Sequence, residues 1–220
     1  MLKLLAALFM LIDHMGAILF PNLLIFRIVG RLSMPLFAFA LARSFRNAGH
    51  GSIMDFKPYF YRLLIFAGVS QVPYSFAFSG LNIGFTWLLS FALLCVIAHY
   101  EKIDRRVAGV VLICVCAASV IFPVGFGLSG VCYPVLFYLC YYKFRKSHYV
   151  ITGAAALFAV SIIIDGLGLI QGFTILAIPL VAYYSKHDNI RIFPRWFFYA
   201  FYPAHIVLLL LLNSMLSYRQ

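Results

Sequence analysis

The sequence predicts an all-α fold, a polytopic integral-membrane bundle of about nine transmembrane helices with its N-terminus in the cytoplasm. Three observations predict it. Of 220 residues, 65% are hydrophobic and 10% charged, far from the roughly 45–50% apolar and roughly 25% charged balance of soluble domains. Windows of about 20 apolar residues, enough to cross roughly 30 Å of hydrocarbon, fill nearly the whole length and leave no stretch for a separate soluble domain. Lysine and arginine gather in every second connection, as the positive-inside rule requires of cytoplasmic loops.

The spans are expected near residues 3–20, 23–43, 58–79, 82–99, 106–122, 129–143, 148–165, 169–184 and 194–216. The first, MLKLLAALFMLIDHMG, has a basic start and an apolar run but no small-residue cleavage site, so it reads as a retained span. Pro21-Asn22 turns the chain into the second. The longest connection, RSFRNAGHGSIMDFKP, carries Arg43, Arg46 and Lys57, with Arg62 just beyond. Later connections carry Lys102, Arg105 and Arg106, then Lys143, Arg145 and Lys146, then Lys186, Arg191 and Arg195. Thirteen of the seventeen cations thus sit on one side, with the C-terminus on the other. The formal charge of +11 is therefore a topology signal, and no nucleic-acid partner is expected. Short loops rich in Pro, Gly, Asn and Ser separate the spans. The five cysteines, Cys95, Cys114, Cys116, Cys132 and Cys140, lack a zinc or disulfide spacing. They read as packing residues, and no metal is expected.

An ionisable group at mid-bilayer costs from about 2.5 to over 10 kcal/mol, so it pairs or lines a wet cavity. Within the spans stand Asp13 and His14 in the first, Arg27 and Arg31 in the second and His205 in the ninth, with Asp165 at the outer end of the seventh. His50, His99, His148 and His187 lie in or beside the cytoplasmic loops. At about 1.5 Å of rise per residue, Asp13, His14, Arg27, Arg31 and His205 all reach similar depths. Arg27 and Arg31 share a helix face, so one can neutralise Asp13 and leave a second cation in the same cavity. A structural buried pair with hydrogen-bonded histidines accounts for part of this set. A second arginine and two histidines exceed what a staple requires, since a buried ion pair is weak evidence for stability. Histidine is also suited to moving protons near neutral pH. Chemistry or proton transport is favoured over scaffolding.

The segments LKLLAALFMLIDHMGAILFP, LLIFRIVGRLSMPLFAFALARSFR, YRLLIFAGVSQVPYSFAF, LNIGFTWLL and FFYAFYPAHIVLLLLL resemble the TraX family over nearly the whole chain. That family is similar in turn to the integral-membrane acyltransferases, which use cytoplasmic acyl-CoA and a membrane-embedded histidine. The chain departs from the family pattern at VGFGLSGVCYPVLFY, where members often carry an acidic residue. The resemblance implies a single transmembrane acyltransferase-like domain over residues 1–220 in the bacterial inner membrane. Its implied reaction is acetyl transfer from acetyl-CoA to the N-terminal amine of a conjugative pilin subunit or another membrane-inserted amine. His14 matches the first-span histidine, Asp13 its neighbour, Arg27 and Arg31 the second-span arginines, and His205 the histidine of the FYPxH-type end.

On that reading His14 accepts the amine proton, since an α-amino group has a pKa of about 7.7–8.0. Adjacent residues on a helix project about 100° apart, so Asp13 pairs with Arg27 or Arg31 rather than orienting His14. An arginine stabilises the oxyanion. Arg43, Arg46, Lys57 and Arg62 are placed to hold the CoA phosphates, or are plain positive-inside residues. Two other classes stay open, a proton-coupled membrane carrier and a non-catalytic pilin-assembly partner.

Overall fold

The computed structural model describes residues 1–48, 56–122, 124–146, 148–164, 169–187 and 193–217, with the side chains of 160–164, 169, 195 and 217 left aside. His50, Asp165 and Arg191 lie outside the described residues, as do 49–55 of the 44–57 loop and Gln220. The described chain is all-α, with one isolated bridge between Leu81 and Val124. In order it forms α1 Leu2–Ile18, α2 Leu24–Gly30, α3 Ser33–Ala48, α4 Lys57–Ala77, α5 Ile83–Ala98, α6 Arg105–Ile121 and α7 Gly127–Phe137. A π-helical turn Tyr138–Lys143 continues α7; α8 Tyr149–Ile164, a 3-10 segment Leu169–Ala177, α9 Ile178–His187 and α10 Arg195–Ser217 complete the chain.

Each segment expected as a span is helical, but three are jointed. The second breaks between α2 and α3 at Arg31-Leu32, because Pro35 has no N–H to give the Arg31 carbonyl four residues back. The last turn of α2 tightens instead, with Arg31 N donating to both Arg27 O (3.1 Å) and Ile28 O (3.3 Å). The eighth begins as a 3-10 segment and becomes α-helical only at Ile178-Pro179, where proline fits the first helical turn. The sixth widens into the π turn after Pro134. Counted through its joint, Leu24–Ala48 is long and apolar enough to cross a membrane, as is Trp196–Leu216; their mean hydropathies are 1.7 and 1.6. Ile83–Ala98 and Tyr149–Ala159 are shorter apolar helices.

The core is built around α3, ten of whose sixteen residues are buried. It packs against α1, α7, α5, α9 and the 3-10 segment, with Leu36, Phe39 and Phe45 wholly enclosed. Phe45 stacks on Phe56 at 4.4 Å between ring centres and meets Phe91 and Tyr138 edge-on at 5.6 Å. Polar clamps fix the helix ends. Asn82 caps α5 by accepting from Gly84 N (2.7 Å), and its amide donates to Ala67 O on α4 (2.7 Å) and Gln71 Oε1 (3.0 Å). Thr86 and Ser90 donate to Gly125 O and Val131 O, both at 2.8 Å, tying α5 to the start of α7.

The outer faces are apolar as well. Ile65, Val69, Val72 and Phe76 on α4, Val110, Ile113 and Ile121 on α6, and Leu208, Leu211 and Met215 on α10 are all exposed. Of the five cysteines, Cys140 is buried, Cys95, Cys116 and Cys132 are half-buried, and Cys114 is exposed on α6.

Candidate functional site

The site begins with a close crossing of α1 and α2. Gly16 and Gly30 permit it: a Cβ at Gly16 would collide with the Phe26 side chain, and one at Gly30 with the Asp13 Cβ and, at 2.6 Å, its Cα. The crossing brings Arg27 onto Asp13. Arg27 Nη1 donates to Asp13 Oδ2 at 2.9 Å and to Asp13 O at 3.2 Å. Asp13 is 8% exposed, so the pair is held largely away from solvent. Of the two arginines offered by the sequence, Arg27 is the partner.

Arg31 plays a different part because it stands in the joint after α2. Its guanidinium lies 5.3 Å from the centre of the Phe126 ring, and its Nε is buried without a hydrogen-bond partner among the described residues. Phe126 has φ 64, a left-handed conformation uncommon outside glycine, and it caps α7 within the GFG stretch. The VGFGLSGVCYPVLFY stretch therefore supplies an aromatic floor beneath Arg31.

His14 and His205 meet across α1 and α10. His14 Nδ1 and His205 Nε2 are 2.6 Å apart, and His205 Nδ1 is 2.7 Å from Phe201 O. The two rings are parallel within 3° with centres 4.9 Å apart. A nitrogen contact that short at that separation places both nitrogens between the ring centres, so the rings lie edge to edge as an in-line hydrogen bond requires. Phe78 (5.2 Å) and Tyr202 (5.9 Å) enclose His14, and Phe201 stacks on His205 at 4.9 Å.

These groups border a cavity of about 340 Å³ whose wall includes Asp13, His14, Arg27, Arg31 and Phe126. His205 is not in that wall; it stands behind His14. The cavity also reaches Lys3 on α1 and Ser44 on α3. Lys3 is eleven residues before His14, about 16 Å along the helix axis, so the space runs lengthwise from the cationic side of the molecule to the histidines. Tyr59, Tyr74, Tyr199 and Gln171 line it between or beside these ends. A search for charges inside spans passes over uncharged tyrosines, and Lys3 reads in the sequence as a basic start rather than a wall residue. Arg43, Arg46, Lys57 and Arg62 lie at the same side of the molecule but do not line this cavity. Arg46 sits over Tyr142 at 4.9 Å and Arg62 over Tyr59 at 5.6 Å. Among the described residues no three His, Cys, Asp or Glu side chains cluster as metal ligands.

Comparison with known proteins gives three findings. A family model described as TraX protein matches residues 1–213. A stretch of 45 residues is 49% identical to the uncharacterized protein RP591 of Rickettsia prowazekii (strain Madrid E), covering 20% of this chain and 18% of that protein. The match thus spans about a fifth of the relative's length. No solved structure matches.

Proposed function

The chain belongs to the TraX family, and from that premise and the geometry of the cavity we propose that it is an integral-membrane acetyltransferase. It moves an acetyl group from acetyl-CoA to the N-terminal amine of a conjugative pilin subunit in the bacterial inner membrane. The observation that carries this reading is His14. Its Nδ1 is engaged by His205 behind it, while its Nε2 has no partner among the described residues and its ring forms part of the cavity wall. A base so held keeps its second ring nitrogen free to take a proton.

The acceptor amine attacks the thioester carbonyl carbon, forming the C–N bond, and its proton passes to His14 Nε2. Negative charge gathers on the carbonyl oxygen, beside Arg31, whose guanidinium is not tied to Asp13 as that of Arg27 is. Collapse breaks the C–S bond, and His14 returns the proton to the departing thiolate, leaving free CoA and the amide. The lengthwise cavity suits the donor's arm, with Lys3 at its far end. Arg43, Arg46, Lys57 and Arg62 supply further cations for the phosphates at that side. Membrane residence is supported by the apolar outward faces of α4, α6 and α10 and by the two long apolar helices.

Purified protein in nanodiscs, given acetyl-CoA and a peptide carrying the pilin N-terminus, is expected to release free CoA thiol. His14→Ala should lower that rate by about 10²–10⁴, the usual weight of a positioned base, while remaining monodisperse. Near-normal turnover by the folded variant contradicts the assignment.

A further inference from the structure

Resting on that reading of the site, we infer that His205 is a positioning residue that fixes the tautomer of His14 through a chain anchored on the Phe201 carbonyl. The geometry dictates the direction of every bond. A carbonyl oxygen only accepts, so the 2.7 Å contact between Phe201 O and His205 Nδ1 places the His205 proton on Nδ1. A neutral imidazole carries one N–H, so His205 Nε2 is an acceptor. The 2.6 Å contact with His14 Nδ1 is then a donation from His14, which leaves the lone pair of His14 on Nε2. That is the nitrogen left to take a proton. Neither ring has a choice of tautomer while the carbonyl holds its proton.

The arrangement does the work an aspartate does behind a catalytic histidine, without an anion. Asp13 does not do it, because its carboxylate is turned to Arg27. Its place is taken by a neutral imidazole that is 4% exposed and shut from the cavity by His14. When His14 gains a proton on Nε2, its Nδ1–H stays bonded to His205 Nε2, so the imidazolium is stabilised by a strengthened hydrogen bond. The groups facing this pair are Phe78, just after α4, and Phe201 and Tyr202 from α10, with Asp13, Arg27 and Arg31 as the nearer charged groups of the cavity wall and Lys3 at its far end. His205 touches no substrate and acts only through His14.

Two variants and one spectrum test this. His205→Phe keeps the ring but removes the acceptor; it should lower kcat by on the order of 10²-fold and leave the KM for acetyl-CoA unchanged. His205→Gln sets an amide oxygen where Nε2 stood and should recover most of that loss. Equal activity in Phe, Gln and the parent protein overturns the inference, and so does equal inactivity of Phe and Gln in folded protein. The unmodified protein gives an answer that no folding defect can obscure. Nitrogen-15 NMR of histidine-labelled protein in nanodiscs, with His205 assigned by its absence from the Gln variant, should show it protonated on Nδ1 and bare on Nε2. A proton on Nε2 of His205 overturns the inference. A parent protein inactive with acetyl-CoA but showing the expected tautomer would instead sink the acetyl-transfer reading and leave this one standing.

Discussion

Asp13 and Arg27 show how far single residues can be read. Depth arithmetic along the first two spans puts them level, and the structure joins them at 2.9 Å. Which arginine would pair was not legible, because Arg31 keeps its helical backbone bond to Arg27 O and the choice is made by its side chain, which lies over Phe126. His205 was legible by depth too, but not the chain from Phe201 to His14, which depends on ring orientation. Removing Arg27 leaves a carboxylate mostly enclosed and unpaired, and breaking a buried pair from one side costs about 3–5 kcal/mol. Arg27 keeps 26% of its side chain exposed, so Arg27→Leu is expected near the low end of that range. Adding Asp13→Asn to Arg27→Leu should restore much of the stability, read as the melting temperature in detergent. A double variant no more stable than Arg27→Leu would contradict the pairing.

At the level of elements, prolines explain what hydropathy left out. Hydrophobic windows locate helices but carry no information on hydrogen-bond continuity, so the α2–α3 joint and the 3-10 start of the eighth segment escaped them. Pro35 and Pro179 are the local causes, and each has a use: the first frees Arg31 to lie over Phe126, and the second follows the 3-10 segment that brings Gln171 to the cavity. The α1–α2 crossing depends instead on glycine. Gly30→Ala is expected to destabilise by about 1–3 kcal/mol, the usual cost of overpacking, because the new Cβ meets backbone that cannot rotate away. Gly68→Ala on α4 meets nothing within 4 Å and should be neutral or stabilising by up to about 1 kcal/mol through helix propensity. Thermal unfolding of the two variants side by side separates a crossing that needs glycine from one that does not.

Over the whole molecule, the all-α character of the described residues was legible because composition is a property of the chain. The cavity was not, since its wall is drawn from α1, α2, α3, α4, α5, the 3-10 segment and α10 together with the turn before α7, and no single segment reports it. The distribution of Lys and Arg gives a topology that can be checked directly. Cysteines placed at positions 102 and 146 in a protein cleared of its native ones should resist an impermeant thiol reagent in intact spheroplasts, while one at position 220 should react. Labelling of position 146 from outside would contradict the proposed order of spans.

The product of the reaction reports on fold and chemistry together. The most direct measurement is intact-mass spectrometry of a pilin subunit co-reconstituted with the protein and acetyl-CoA, beside the same mixture made with His14→Ala. The pilin is expected to gain the mass of one acetyl group, placed by fragmentation on its N-terminal amine, only with the parent protein. A pilin of unchanged mass in both mixtures, or equally acetylated in both, would contradict the acetyl-transfer reading.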